Sequence, residues 1–493
     1  MADTNLSLEL EIVSQPNLKL DVQGVEGQEY VSKPYSYLIQ ATTSDSADTV
    51  SLVGERAKIT MTTPGGKLIA SGICAQVEEL DPTPTDLRVL QFQLRPRLVV
   101  TELTVENRIY GPGQPVGTDD VVKHEISAAP IDIPAEYNLD SYPKRQYVVQ
   151  YDETDFAFIS RLCEHAGIFY YFKQADNGET VVFGDKNLAF PKVSFNGKSS
   201  ILYSHPRDRT VARGATESAV LSFRERRSLT TKTVKLRNYN ETIPRIVSGE
   251  THAGQGGAFV GKIEQFGAHF PDDGAGASMA KIRGEQIAAA QTMYVAETDA
   301  PELRAGTIFE LQGHPRLDGE YLIVSAEHSA YRPAPIGFSA LPQEGRAYRN
   351  VLHCIRSNVP YRPAIVTPRP VAAGLHIAKI DGEAWNGRAE IDNEGRYKLQ
   401  MTFSDHETPR ARGSDYVRKV EPYVGPDETG LHFPLVAGTE VIIGYMHGDI
   451  DRPLVLGAVA NPDMRHVVTG DSHTHNRIKS QSGALFEIYD GPG

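Results

Sequence analysis

Apolar and polar residues alternate with a period of two along much of this chain, which is the pattern of strands that bury one face. Near the N-terminus, the stretch SLELEI places Leu8, Leu10 and Ile12 on one side of such a strand. The stretch RYKLQMTF repeats the pattern with Leu399 and Met401. Turn residues separate these runs, so the pattern predicts a mainly β protein.

Helical patterns are sparse and predict only a few inserted helices. In the clearest one, Thr154 can accept a hydrogen bond from the first turn, and Gly167 stands where a left-handed C-terminus is favoured. Further helices are predicted near residues 119–129 and 278–290. Apolar residues in the first helix recur at spacings of three and four and predict one buried stripe, made of Phe156, Ile159, Cys163 and Ala166.

Two stretches divide the chain. Residues 358–374 hold four prolines, and because each proline fixes φ and removes a backbone donor, a linker is predicted there. Residues 469–483 are polar and nearly free of large side chains. The block between them fits a five-stranded barrel of the OB type, whose strand order the sequence leaves open. The predicted domains are a base region with β-barrel subdomains, an OB-fold domain and a neck, at residues 1–375, 376–466 and 467–493.

The length of the chain limits the number of domains, and its charge limits the class of partner. At 493 residues the chain is too long for one core, and at about 150 residues per domain it holds roughly three. Its formal net charge of −13 disfavours a nucleic-acid partner, because affinity for phosphates depends on clustered Lys and Arg. The basic run RERR at residues 224–227 is short and interrupted by Glu225, and we interpret it as solvated surface.

Cysteine usage and the start of the chain bear on the compartment. Cys74, Cys163 and Cys354 lie far apart and cannot all pair, which fits synthesis in a reducing cytoplasm. The start MADTNLSLELEI has neither a basic region nor a continuous apolar region, so no signal peptide is predicted. No apolar run approaches the ~20 residues of a membrane span. Export, if it occurs, is expected by another route.

The stretch YMHGDIDRPLVLGAV raises the question of an active site, because two aspartates flank one isoleucine. Strand patterns precede and follow it, and Gly448 permits the chain to reverse. Asp449 and Asp451 are predicted to accept hydrogen bonds from turn amides. Arg452 is predicted to pair with one of them or with a neighbouring chain, and Pro453 to begin the returning strand. We therefore predict a structural hairpin at one end of the OB barrel, near the axis of a trimer.

We predict no catalytic, cofactor-binding or metal-binding residue. The two aspartates lack the Asp or Asn and the Gly that a calcium loop requires at its fifth and sixth positions. Carboxylates two residues apart in a tight loop rarely face each other across a cleft, as a paired-carboxylate hydrolase requires. The sequence has no G-x-S-x-G or H-E-x-x-H motif. Cys163 has His165 two residues on, but its place on the buried helix stripe favours a core thiol.

Two other patterns resemble binding sites only in part. GGAFVGKI at residues 256–263 has the spacing of a phosphate-binding loop, but Ile263 stands where Ser or Thr would reach magnesium. We interpret it as a flexible, glycine-rich surface loop. HTH places His473 and His475 on one face of an extended strand, where they could hold zinc or iron if a trimer supplied further ligands. Polar linker histidines are the favoured interpretation.

Five stretches in the expected order resemble the VgrG family, the spike proteins of the type VI secretion system, over nearly the whole chain. Among them, NEGRYKLQM resembles the strand that opens the family's OB domain, and the stretch around GDIDRP resembles its G-D-x-D-R-P motif. The five are VQYDETDFAFISRLCEHAGIFYYF (149–172), ELRAGTIFELQGHPRLDGEYLIVSAEH (302–328), NEGRYKLQM (393–401), FPLVAGTEVIIGYMHGDIDRPLVLGAVAN (433–461) and RIKSQSGALFEIYD (477–490).

The resemblance implies a homotrimer that works mechanically. A hub like that of contractile phage baseplates would occupy residues 1–375, followed by the OB-fold barrel and the start of a trimeric β-helix or needle. Such a spike sits on an inner tube of Hcp-like protein, contacts baseplate proteins and punctures target membranes. It also delivers a PAAR-type tip protein and effector proteins or their adaptors. Neither a cofactor nor an enzymatic activity is implied, and the apparatus would export the spike from the cytoplasm to the extracellular space or a target cell.

The chain departs from the family pattern in two places. DYVRKVEPYVG at residues 415–425 has tyrosines where the family often has tryptophans, and it adds the pair Lys419 and Glu421. The sequence also stops at DGPG, where the β-helix would begin, so we expect either a shortened chain or a variant with a minimal needle. Residues 478–489 alternate apolar and polar positions but have no partner strands of their own, which favours stacking against copies of themselves.

Two alternatives stay open. One is the spike hub of a related phage tail or extracellular contractile injection particle. The other is an OB-type oligosaccharide-binding component or a cell-wall hydrolase. An OB domain that grips nucleic acid is disfavoured, because ten Lys and Arg stand against fifteen Asp and Glu between His376 and Arg465.

Overall fold

The computed structural model describes residues 6–46, 48–80, 87–195, 198–204, 218–332, 347–385, 387–404 and 409–491. Within these ranges the chain is mainly β, with three α-helices, as the sequence predicted. None of these helices is both long and apolar enough to cross a lipid bilayer.

The elements follow one another in chain order. The helices are α1 Thr118–Ser127, α2 Asp155–Ala166 and α3 Asp273–Gln291. The strands are β1 Ser7–Ile12, β2 Asp21–Tyr30, β3 Lys33–Thr43, β4 Arg56–Thr63, β5 Gly66–Leu80, β6 Arg88–Arg95, β7 Val105–Tyr110, β8 Ala135–Asn138, β9 Val148–Thr154, β10 Phe169–Ala175, β11 Gly178–Gly184, β12 Ser200–Leu202, β13 Val220–Arg227, β14 Thr230–Asn240, β15 Arg245–His252, β16 Phe259–Phe266, β17 Thr292–Thr298, β18 Ile308–Gln312, β19 Gly319–Tyr331, β20 Tyr348–Arg356, β21 His376–Ile380, β22 Leu399–Met401, β23 Glu440–Tyr445, β24 Pro453–Ala458, β25 His475–Lys479 and β26 Leu485–Tyr489.

Residue contacts divide the chain into two compact units. We call Met1–Thr104, Thr118–Tyr142 and Thr154–Pro368 the large unit. The barrel unit consists of Val105–Gly117, Pro143–Glu153 and Arg369–Gly493. Two short segments from the first third of the sequence therefore fold with the C-terminal part, a division that the sequence did not raise. The boundaries placed at residues 375 and 466 stay a prediction.

A twelve-stranded sheet organises the large unit, in the order β1-β4-β5-β6-β3-β2-β19-β20-β17-β13, with β18 and β12 continuing from β19. The first six strands enclose one core, and β1 approaches β2, so this part curls back on itself. Strands β12, β13 and β17–β20 contribute to a second core. Leu8, Leu10 and Ile12 of β1 are all buried, which confirms the predicted alternation.

Two small three-stranded sheets carry the helices of the large unit. The sheet β10-β11-β8 shares a core with α1 and α2, and the sheet β15-β14-β16 packs against α3. Local signals place α2: the Thr154 hydroxyl accepts a hydrogen bond from the amide of Ala157 at 3.1 Å, and Gly167 adopts φ 76°. These observations confirm the predicted cap and end of this helix. The other two predicted helices are also present.

A closed five-stranded barrel forms the core of the barrel unit. Strands β22, β21, β23 and β24 pair antiparallel in that order. Residues 417–420 then complete the circle, because Lys419 bridges Val455 of β24 in parallel and Val417 bridges Tyr397 beside β22. This closed antiparallel ring with one parallel pairing supplies the strand order that the sequence left open for an OB-type barrel.

Strands β7 and β9 form a separate two-stranded sheet that belongs to the barrel unit. Tyr147 and Val149, at the start of β9, are buried in the same core as Leu399, Val441 and Ile450. The early segments are therefore part of the barrel's hydrophobic core.

The proline-rich stretch is irregular, as predicted, but its first part is anchored to the large unit. Glu164 of α2 accepts hydrogen bonds from the amides of Val366 and Thr367, at 3.0 and 2.9 Å. Arg362 donates to Glu285 of α3 at 2.8 Å. These partly buried contacts hold residues 362–367 against the large unit.

The C-terminal residues differ from the expected start of a β-helix. Within the described part of the chain, β25 and β26 pair as one antiparallel hairpin, with Ile478 opposite Phe486. The apolar face of this hairpin is exposed. The β-helix therefore stays a prediction.

The glycine-rich stretch at residues 256–263 was interpreted as a flexible surface loop, which is wrong for its second half. Its second half belongs to β16, which pairs in parallel with β14 through Ile263 and Val234. The Lys262 ammonium lies 2.7 Å from the Glu264 carboxylate, so this lysine has an acidic partner on its own strand. Arg224 to Arg227 lie at the exposed end of β13, which confirms their place on the solvated surface.

A buried polar cluster links four strands of the large unit. Glu29 of β2 accepts hydrogen bonds from Arg304 at 2.9 Å and from Tyr37 of β3 at 2.5 Å. His328 of β19 lies 3.6 Å from the same carboxylate and 2.8 Å from the Tyr348 hydroxyl of β20. Burial raises the pKa of Glu29, but the neighbouring Arg304 and His328 outweigh it and hold this pKa well below its usual range.

We expect Glu29→Gln to destabilise the large unit by about 3–5 kcal/mol at neutral pH, since it leaves Arg304 buried without its counter-charge. A carboxyl whose pKa is lowered on folding stabilises the protein above its unfolded pKa, and that stabilisation is lost as pH falls toward the folded pKa. The difference between variant and wild type should therefore shrink below about pH 4.

Urea titrations followed by circular dichroism at several pH values measure this difference. The fluorescence of Trp385, the only tryptophan, reports the barrel unit separately. Glu78→Gln is the matched control, because Glu78 is exposed on β5. A pH-independent difference, or one no larger than that of Glu78→Gln, would contradict the assigned role of Glu29.

Candidate functional site: the aspartate loop of the barrel unit

The stretch GDIDR forms the turn between β23 and β24. His447 and Gly448 adopt φ of 58° and 71°, which reverses the chain. A Cβ on Gly448 would lie 2.8 Å from Val371, so only glycine fits this close approach. Arg452 donates its backbone amide to the Asp449 carbonyl at 2.8 Å, and Pro453 begins β24. The residues predicted from sequence thus lie together in one hairpin turn.

Ile450, between the two aspartates, is completely buried in the barrel core. Its side chain anchors the loop in the apolar interior, while Asp449 and Asp451 make separate polar contacts on either side of it. The sequence Asp-Ile-Asp, which resembled a carboxylate pair, is therefore a loop in which the central residue points into the core.

Asp451 binds a segment far away in the sequence. Its carboxylate accepts a hydrogen bond from the Arg145 guanidinium at 2.9 Å and from the Val149 amide at 2.9 Å. The Asp451 side chain is only 3% exposed, and that of Arg145 is 25% exposed. Charge-assisted bonds of this kind are stronger than neutral ones. Asp451 therefore ties Pro143–Glu153 to the barrel, a role that differs from the predicted capping of its own turn.

Asp449 anchors a second segment. Its carboxylate accepts hydrogen bonds from Arg369 at 3.0 Å and from the Asp451 amide at 3.2 Å. The Arg452 Nε atom lies 3.7 Å from it, at the edge of ion-pair distance. Next to it, the Ala372 amide donates to the Gly448 carbonyl at 2.9 Å. The loop thus holds the start of the barrel unit's C-terminal part.

Two functional residues, Arg145 and Arg369, were missed from sequence. Asp451 and Arg145 are separated by 306 positions, and neither belongs to a local motif that would connect them. Arg452, which the sequence predicted to pair with one of the aspartates or with a neighbouring chain, lies within ion-pair distance of Asp449 at 3.7 Å, whereas Arg369 lies closer at 3.0 Å.

Electrostatics beneath the loop favour a neutral interior. Burial raises the pKa of Tyr147 well above its usual value, and the nearby Tyr445 and Asp451 add to this shift. Burial also raises the pKa of Tyr445, with a smaller contribution from Tyr151. Both phenols therefore stay protonated at neutral pH.

The loop occupies the position at which OB folds commonly bind oligonucleotides or oligosaccharides, between the fourth and fifth barrel strands. In this chain its two carboxylates are engaged by Arg145 and Arg369. Both carboxylates of the loop are therefore already paired with cations of the same chain.

The sequence offered three further residues that could bind a metal or react, namely His473, His475 and Cys163. His473 has φ −64° and ψ −18° and precedes β25, whereas His475 begins that strand and lies 3.2 Å from Glu487. The prediction of two imidazoles on one face of an extended strand was therefore wrong. Cys163 is buried in α2, and burial raises the pKa of its thiol, which confirms a core thiol.

Comparison with known families gives two matches. The sequence profile described as phage tail baseplate hub (GPD) matches residues 28–334. The profile described as type VI secretion system/phage-baseplate injector OB domain matches residues 389–459. The second range contains the aspartate loop and three of the four strands β21–β24.

Similar proteins extend the match along the chain. The type VI secretion system spike protein VgrG5 of Pseudomonas aeruginosa is 26% identical over 480 residues, covering 94% of this chain and 58% of that protein. The chain spans about three fifths of the length of VgrG5 and of the Pseudomonas aeruginosa relatives VgrG1c and VgrG1b.

Solved structures share the fold. The Escherichia coli protein c3393, described as a type VI secretion component similar to the T4 bacteriophage tail proteins gp27 and gp5, superposes with a TM-score of 0.63 at 22% identity. The superposition covers 92% of this chain and 100% of the c3393 chain. A Francisella PdpA–VgrG complex contains a chain with a TM-score of 0.59 at 9% identity, covering 99% of this chain and 76% of its own.

We expect Asp451→Ala to destabilise the barrel unit by about 2–3 kcal/mol, somewhat less than for a fully buried pair because Arg145 is partly exposed. The urea midpoint of Trp385 fluorescence measures this loss. Asp463→Ala, which removes an exposed carboxylate from the same unit, is the control.

A double-mutant cycle with Arg145→Ala separates the pair from its surroundings. The double variant should lose less stability than the sum of the two single variants, because both remove the same interaction. Strict additivity, or a loss in Asp451→Ala no greater than in Asp463→Ala, would show that the contact does not anchor Pro143–Glu153.

Proposed function

The chain belongs to the phage tail baseplate hub family, and from this premise we propose that it is a VgrG-type spike protein that works as a trimeric hub and spike of a type VI secretion apparatus. In this role it transmits force and docks partner proteins through its shape, without catalysing a reaction. Because the chain spans about three fifths of its curated relatives, the activity and partners of the whole protein are part of the proposal.

The exposed face of the C-terminal hairpin is the observation that carries a trimer. Ile478, Phe486 and Ile488 lie on one face of β25 and β26, and each is between 50% and 60% exposed. A single two-stranded hairpin is marginally stable alone. Three copies around an axis would bury these faces against one another, and each hairpin could then lead into a three-chain β-helix.

The aspartate loop supports a mechanical role. Its carboxylates hold parts of the chain together through Arg145 and Arg369, and charge-assisted bonds of defined direction resist displacement of the segments they join. We propose that Gly448, Asp449, Asp451, Arg452 and Pro453 form a structural motif near the trimer axis. No cofactor or catalytic role is assigned to them.

The proposed partners follow from the family. They are an inner tube of Hcp-like protein, baseplate proteins, a PAAR-type tip protein and effector proteins or their adaptors. The fold shared with a chain of the PdpA–VgrG complex supports an assembly with other proteins. The spike would be made in the cytoplasm without a signal peptide and delivered by the apparatus to the extracellular space or a target cell.

A spike hub of a phage tail or of an extracellular injection particle is the second candidate. It is favoured by the match of residues 28–334 to a family that is described by phage baseplates. An oligosaccharide-binding or hydrolytic OB component is less well supported, because both carboxylates of the aspartate loop are paired with Arg145 and Arg369.

We expect the purified chain to form a trimer with a mass near three times 54.1 kDa. Light scattering after size-exclusion chromatography measures this mass. Phe486→Asp should shift the trimer toward monomer, since it places a charge on the apolar face of the hairpin. Leu188→Asp, at an exposed site of the large unit, is the matched control.

A wild-type chain that stays monomeric at high concentration would count against the proposed hub and spike. Cleavage of peptidoglycan by the purified protein would contradict its purely mechanical role.

A further inference from the structure

A β-arm projects from the barrel unit between its third and fourth strands. We define the arm as residues 421–433, between the segment 417–420 and β23. The Leu431 amide donates to the Tyr423 carbonyl at 3.0 Å, and the Gly425 amide donates to the Thr429 carbonyl at 2.7 Å. Asp427 and Glu428 form the tip, both with positive φ. The arm is thus a hairpin with an acidic turn.

The sides of the arm are apolar and open to solvent. Tyr423 is 57% exposed and Val424 is 74% exposed, and Leu431 and Phe433 are also exposed. Exposed apolar side chains grouped on one projection mark a binding surface rather than the scattered exposure of an ordinary monomer.

Polar contacts of Glu421 fix the base of the arm. Glu421 lies 2.6 Å from Lys419 and 2.8 Å from the His432 imidazole, so both sides of the arm are joined where it leaves the barrel. The Lys419 and Glu421 side chains are largely buried. The arm is therefore presented in one direction, which lowers the entropic cost of binding.

A surface of complementary chemistry lies on the same unit. The Arg410 guanidinium stacks 4.9 Å from the ring of Trp385, which is itself partly exposed. Arg412 lies nearby in sequence and is also exposed. We call Trp385, Arg410 and Arg412 the basic patch. It offers an aromatic face and two cations, whereas the arm offers apolar side chains and two carboxylates.

We propose that the arm of one copy docks on the basic patch of the next copy around the trimer. This inference rests on the proposed trimer and names the surfaces that join its barrel units. Each copy donates one arm and accepts one, so a closed ring leaves no arm or patch unused. Charge complementarity favours a second copy as the occupant, because both halves of the contact lie on this chain in equal number.

Charge reversal tests the contact. Asp427→Lys with Glu428→Lys should raise the concentration at which the trimer dissociates at least tenfold, and Arg410→Glu with Arg412→Glu should do the same. All four substitutions in one chain should restore assembly, because reversed arms then meet reversed patches. Glu78→Lys with Asp176→Lys changes the net charge as much as the arm reversal, at exposed sites of the large unit.

Crosslinking locates the contact. All three native cysteines are buried, and burial raises the pKa of the Cys74 thiol to about 12, so introduced cysteines are the reactive ones. Val424→Cys combined with Arg412→Cys should give covalent species of two and three chains with a short bismaleimide. Either single variant should stay uncrosslinked.

The outcomes separate the two proposals. A wild-type trimer that ignores charge reversal and does not crosslink would overturn the arm contact and leave the proposed hub intact. A wild-type monomer would overturn both. Val424 that crosslinks only to an added tip or effector protein would show that a different partner occupies the arm. Failure of the four-fold variant to reassemble, with both double variants dissociated, would also overturn the docking.

Discussion

A single aspartate carboxylate connects parts of the barrel unit that lie 306 positions apart in the sequence. Asp451 accepts hydrogen bonds from a guanidinium and a backbone amide of the segment Pro143–Glu153. This contact holds the segment where Tyr147 and Val149 pack into the barrel's apolar core. The loop geometry, the burial of Ile450 and the glycine at position 448 all serve to present this carboxylate. Without a donor from outside the barrel, Asp451 would be a buried charge with no counter-charge, which proteins rarely tolerate.

The large unit uses the same physical arrangement in a different place. Glu29, on a central strand, is held charged in the interior by Arg304, and the other members of its cluster come from three further strands and a loop. In both units a buried acid links segments that are distant in sequence. Because hydrogen bonds are directional and hydrophobic packing is not, such a link fixes how the segments align with each other. The proposed transmission of force would benefit from such contacts, because charge-assisted hydrogen bonds have a defined direction.

Sequence patterns predicted what depends on near neighbours. The cap at Thr154, the left-handed Gly167 and the alternation of Leu8, Leu10 and Ile12 each involve a few adjacent residues, and all are confirmed. The partners of the aspartates could not be predicted, because Arg145 and Arg369 are ordinary arginines until the fold brings them to the loop. The glycine-rich stretch was misjudged for a related reason: strand β14, paired with β16, supplies the order that the composition around Gly256 disfavours. His473 was misplaced because a short helical turn interrupts the extended strand that HTH predicts.

The discontinuous barrel unit determines the order of events during synthesis. Val105–Gly117 and Pro143–Glu153 leave the ribosome early, whereas Asp451 and the strands that complete the barrel emerge more than two hundred residues later. Contacts of such long sequence separation form slowly, because the loop between them must first be ordered. The large unit can form much of its core in this interval, before the barrel strands that pack against Tyr147 and Val149 have been synthesised. Closure of the barrel is therefore a late step of folding, and a chain that breaks off before residue 451 cannot complete it.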